Sequence, residues 1–99
     1  MTSSAGFFRR PLDEVFAAPS HVAVLRALLD TAQGMSGRET GRVARVNHAA
    51  AARTLARLES AGIVERLGSG GTQLFRLNQA NVLTTELIRP LLVGERRVF

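Results

Sequence analysis

The chain has 99 residues, 45 % of them apolar, and a mean hydropathy close to zero, which is material for one small domain with one modest core and leaves no room for a catalytic domain beside it. Its formal charge of +5 is built wholly from arginine, because all 13 cations are Arg. With no cysteine and only two well-separated histidines, disulfide, thiol and metal-site chemistry are disfavoured; the lack of a signal-peptide core or of an apolar run of membrane-spanning length makes a cytoplasmic protein the expectation.

Residues 1–10 read as a small polar lead expected to be poorly ordered, and residues 11–99 as a single domain. Phe7 and Phe8 are placed to cover an edge of the core. Pro11 suits the first position of a short helix carrying Leu12, Val15 and Phe16. The Pro19-Ser20 pair ends that element and caps the next, expected from His21 to about Ala32, in which Val22, Leu25, Leu28 and Leu29 form one apolar stripe closed by Gln33-Gly34. His21 reads as a helix-start residue.

Ser36 followed by Glu39 is a capping box, so a second, short helix starts there. Gly41 inside it costs about 1 kcal/mol in helix propensity, a sensible choice where another backbone comes close. Arg45-Val46 is the turn, and Asn47 caps a third helix expected from His48 to Ala61 with a stop at Gly62. Ala51, Leu55 and Leu58 share its inner face with Thr54 beside them, while His48 falls at the edge of that face in the first turn. The positive charge is concentrated here: between Ser36 and Arg57, five arginines (Arg38, Arg42, Arg45, Arg53 and Arg57) oppose only Glu39, a net of +4. That is the footprint of a polyanion binder, and equally of a basic solvated face.

Ile63 to Leu67 and Thr72 to Leu77 read as two strands of a β-hairpin around Gly68-Ser69-Gly70-Gly71. After the polar link Asn78–Asn81, Val82 to about Arg89 form a last helix with Leu83, Leu87 and Ile88 on one side, which Pro90 should end or kink.

Helix, helix, turn, helix, hairpin predicts a mainly α fold with a small β-hairpin, a winged helix-turn-helix. The stretch SGRETGRVARVNHAAAARTLARLESAGIVERLGSGGTQLFRLN, Ser36 to Asn78, resembles the DNA-binding core of bacterial MarR/ArsR-type winged-helix regulators. Within it LARLESAGIVER, with Leu55, Leu58, Ala61, Gly62, Ile63 and Val64, resembles their junction between recognition helix and wing. Upstream, PLDEVFAAPSHVAVLRALL is similar to the entry helix of winged-helix domains that precede a bacterial nucleotidyltransferase domain, although that enzyme's signature of Gly-Ser followed by paired carboxylates is not present. Arg45 stands where the regulators' turn usually has Gly, and the wing tip, Gly68 to Gly71, carries no charge.

The resemblance implies double-stranded DNA as partner, with the recognition helix, about 48–61, in the major groove and the wing, 63–77, near the backbone. It turns His48, Ala49, Ala52 and Arg53 towards the DNA: Arg53 for a bidentate contact to guanine, His48 for a base edge or phosphate, and alanine methyls against thymine methyls. Arg38, Arg42 and Arg57 would hold the backbone, Arg66 and Arg76 would touch phosphates from the hairpin stem, and the caps Ser36 and Asn47 complete the set. Helix propensity alone accounts for the alanines, and a solvated first-turn position for His48.

A transcriptional regulator or its DNA-binding module is the leading reading; a winged-helix protein-interaction module and the N-terminal, non-catalytic domain of a nucleotidyltransferase are the alternatives. No catalytic set, cofactor or metal ligand is expected, and no effector pocket is legible. So few polar readers favour pairing of two copies: a homodimer through Leu83, Leu87, Ile88, Leu91 and Leu92, with Phe7, Phe8, Leu12 and Phe16 adding apolar surface. Closing the core of one monomer is the competing use of the same residues.

Overall fold

Helix α1, Pro19–Leu28, opens on a proline in its first turn, where a missing N–H breaks no helical hydrogen bond. The computed structural model describes residues 13, 15–68 and 73–98; Phe7, Phe8, Leu12 and the wing tip 69–72 lie outside them. The helix stops at Leu28, short of the expected Ala32. Its core face is His21, Val24, Leu25 and Leu28, at i, i+3, i+4 and i+7. Two expectations change: Val24 takes the core place expected of Val22, which is half-buried, and His21 is 4 % exposed, a core residue as well as a helix-start residue. Gly34 does not cap α1. It holds φ +98°, and a Cβ there would lie 2.9 Å from the Cβ of Leu74, so it carries the chain across the sheet.

The next strand, β1, is only Met35–Ser36. Helix α2 follows at Gly37–Ala44, α3 at His48–Ser60, and the hairpin strands are β2, Val64–Leu67, and β3, Leu74–Leu77. The three strands form an antiparallel sheet in the order β1-β3-β2. Two residues carry no alternation, so β1 has no sequence signature; it exists because β3 offers it an edge, pairing Met35 with Phe75 and Ser36 with Leu74.

The core lies between α1, α3 and the inner face of the hairpin, with Val24, Leu25, Leu28, Leu55, Leu58, Ile63, Val64 and Leu77 each at most 2 % exposed. Asn78 and Asn81 both donate to the Gly62 carbonyl, at 3.0 and 2.9 Å, and tie the link after β3 to the end of α3. Asn81 Oδ1 in turn accepts from the Leu83 amide at 2.8 Å and starts the last helix.

That helix does not end at Pro90. A π-helical turn, Thr84–Ile88, leads directly into α4, Arg89–Val98. The Arg89 N–H bonds the Thr84 carbonyl, five residues back, and this wider turn makes room for a proline ring that would otherwise press on the carbonyl of Glu86. Two paired arginines fix α4 against α1. Arg26 grips Glu95 with Nε at 2.8 Å and Nη2 at 2.6 Å, and Arg96 grips Asp30 with both Nη atoms at 3.0 Å. Among the described residues no helix is long and apolar enough to cross a membrane. The architecture is a winged helix-turn-helix: mainly helical, with a small three-stranded sheet.

Candidate nucleic-acid interface

The corner that presents α3 is built by capping. The Ser36 hydroxyl accepts from the Glu39 amide at 3.1 Å, and its carbonyl accepts from Thr40 Oγ1 at 2.7 Å. Only the hydroxyl half of the capping box is used, as the Glu39 carboxylate pairs with Arg42. At the C-terminus of α2, the Val46 amide returns to the Gly41 carbonyl at 3.0 Å and the Arg45 amide to Arg42 at 3.2 Å, a Schellman closure whose left-handed position is usually glycine. Arg45 fills it at φ 61°, ψ 42°, so the chain makes the turn without the expected Gly. Asn47 then starts α3, its Oδ1 accepting from the Ala50 amide at 2.8 Å.

Helix α3 buries Ala51, Thr54, Leu55 and Leu58, the inner face expected from the spacing. His48, Ala49, Ala52, Arg53, Ala56, Arg57 and Ser60 are exposed. At about 100° per residue, Ala49, Arg53, Ala56 and Ser60 form the line opposite the core, with Arg57 on one flank and Ala52 and His48 on the other. The sequence does not single out Ala56, and it counts Arg45 in the basic segment without assigning it a contact. The signal for Ala56 was its place seven residues after Ala49 on the same line, and Arg45 is a further exposed cation beside the start of α3. Arg38 and Arg42 are exposed on α2.

The wing arginines part company. The register sets Glu65 opposite Arg76 and Arg66 opposite Phe75, so Arg66 and Arg76 lie on opposite faces of the hairpin. Arg66 is on the side of α3: its guanidinium is 5.0 Å from the Phe75 ring centroid and bonds Glu59 at 2.8 Å and Gln73 at 2.5 Å. Arg76 bonds Glu65 at 2.7 Å and the Ala32 carbonyl at 3.0 Å, beside the end of α1. The expected pairing residues divide too. Ile88 and Leu92 are 2 % and 6 % exposed and belong to the core, and Leu83 is packed against it, whereas Leu87 and Leu91 are 52 % and 55 % exposed.

No family model matches the chain, and no curated protein does. Among solved structures it is similar to the crystal structure of the predicted DNA-binding transcriptional regulator from E. coli, with a TM-score of 0.69 at 16 % identity, covering 99 % of this chain and 96 % of that one. At that identity the likeness establishes the winged helix-turn-helix fold.

Proposed function

We propose that the chain is a cytoplasmic DNA-binding transcriptional regulator, or the DNA-binding module of one, which sets α3 in the major groove and the β2–β3 wing beside the backbone. One observation carries this reading: α3 is buried along one face, and the line opposite the core carries only small side chains and Arg53, with Arg57 and His48 on its flanks and Arg38 and Arg45 of the adjoining helix and turn adding charge beside it. The low profile of Ala49, Ala52 and Ala56 lets the helix backbone approach the groove floor. Arg53, on the outermost line, is the residue for a bidentate contact to guanine; Arg38, Arg42 and Arg57 hold phosphates, Arg66 reaches the backbone from the wing, and His48 meets the DNA from the first turn. The likeness to a protein described as a predicted DNA-binding transcriptional regulator supports the same reading.

Two copies pair through the terminal helix, where Leu87 and Leu91 stand out from the surface beside Phe16, itself 59 % exposed. Pairing gives two short half-sites and hence a usable operator. The reading is tested by titrating duplex DNA over a range of salt concentrations. Log affinity should fall linearly with log salt, with a slope of about 0.9 per phosphate contacted; an affinity indifferent to salt would overturn it in favour of a protein-interaction module.

A further inference from the structure

On the face of the hairpin opposite Arg66, the end of α1, strand β3, the link after it and the first residue of α4 enclose a cleft of about 400 Å³. That volume is within the span of small-molecule sites, about 300–1,000 Å³. Two guanidiniums line it. Arg76 gives Nε to Glu65 and Nη1 to the Ala32 carbonyl, and Arg89 gives Nη1 to the Leu29 carbonyl at 3.4 Å. Each guanidinium has five N–H donors, so among the described residues most of Arg89's and part of Arg76's remain for a ligand.

Around the cleft the charges are Arg76, Arg89 and Arg96 against Asp30 and Glu65. Asp30 is turned to Arg96, which takes both its oxygens, and Glu65 is held by Arg76. One positive charge is left over. The negative end of the α1 dipole lies at the same place and opposes any anion, a doubly charged phosphate more than a single carboxylate; the carboxylate's geometry matches the planar guanidinium fork.

We infer that this cleft binds a small organic carboxylate, its two oxygens bridging Arg76 and Arg89, with the amide of Gln79 and the hydroxyl oxygen of Thr31 left to select its body. The occupant bridges the second strand of the wing and the terminal helix. The inference stands independently of DNA binding.

The test is an NMR titration of the whole chain with acetate and with butyrate, at constant ionic strength against chloride. Saturable shifts are expected at the amides of Thr31, Leu77 and Gln79. Arg89→Gln should weaken binding about tenfold or more and Arg53→Ala should leave it unchanged. Should Arg89→Gln disturb α4, Arg76→Gln gives the same reading from the other wall. Shifts equal to those of chloride, equal in the variants of both walls, or centred on α3 would overturn the site.

Discussion

Gly41 and Ala51 face each other across the corner between α2 and α3 so closely that a Cβ at Gly41 would stand 3.2 Å from the Ala51 Cβ and 3.2 Å from the Val46 carbonyl oxygen. The two helices cross where neither carries more than a methyl, and this contact sets the angle at which α3 leaves the core. Glycine to alanine in a helix ordinarily gains about 1 kcal/mol, whereas overpacking a tight contact costs about 1–3 kcal/mol. Gly41→Ala is therefore expected to destabilise by about 1 kcal/mol, and Ala51→Gly in the same chain to recover part of the loss. Urea unfolding of both single variants and the double variant checks this; a Gly41→Ala protein more stable than its parent would show that the corner opens freely.

Arg45 occupies the left-handed region, where a residue with a Cβ is disfavoured by roughly 1–2 kcal/mol. Arg45→Gly should raise the stability by about 0.5–1 kcal/mol, seen as a higher Tm, since the relief exceeds glycine's added chain entropy. The same variant removes one cation from the proposed DNA face. It should bind duplex DNA more weakly at low salt while folding better, which separates the structural from the electrostatic role of this position.

Leu87 and Ile88 are neighbours with opposite fates, 52 % and 2 % exposed. Leu87→Glu together with Leu91→Glu should yield a folded monomer with reduced operator affinity, as read by sedimentation and DNA titration. Ile88→Glu should fail to fold, because it places a carboxylate in the apolar core. If the unaltered chain sediments as a monomer both on and off DNA, pairing through α4 is wrong while the DNA-binding reading stands.

The Arg96 hydrogen bonds hold the Asp30 carboxyl below its ordinary range, and those of Arg26 do the same for Glu95. A carboxylate depressed in the folded state stabilises that state above its unfolded pKa, about pH 4, and loses the contribution as pH falls through the folded value. The anchoring of α4 on α1 should therefore weaken below about pH 4. The protection factors of the α4 amides, which divide out the intrinsic pH dependence of exchange, should fall there, and by less at high salt because screening has already weakened the exposed pairs. In an Asp30→Asn, Glu95→Gln protein the protection of α4 should be already lower at neutral pH and nearly flat with acid.

Arg53 lies on the outermost line of α3, and Arg38 is exposed on α2. Arg53→Ala should cost about 1–3 kcal/mol at the best site and relax preference at one base pair, as the loss of a bidentate contact does. Arg38→Ala should weaken all sequences alike and lower the salt slope by about one phosphate's worth, roughly 0.9. Binding selections on random duplexes distinguish the two, and an Arg53→Ala protein with unchanged base preference would make Arg53 a phosphate contact.

What the chain reveals by itself is what repeats or caps locally. Ala51, Thr54, Leu55 and Leu58 recur at helical spacing, so the inner face of α3, and hence its exposed face, follows from period alone. Ser36 and Asn47 announce the starts of α2 and α3 because their side chains bond amides only three residues on. Where the decisive partner is distant in sequence, only the tertiary structure could decide. The apolar stripe that the sequence of α1 suggests runs through Val22, and only packing gave that core place to Val24. The two residues of β1 became a strand only because β3 lay beside them. Strand register, which no single strand encodes, sent Arg66 to the side of α3 and Arg76 to the carboxylate cleft. The last helix ran through Pro90 because a π-helical turn cleared space for the ring while Ile88 and Leu92 docked into the core, so long-range burial outweighed a local preference to stop.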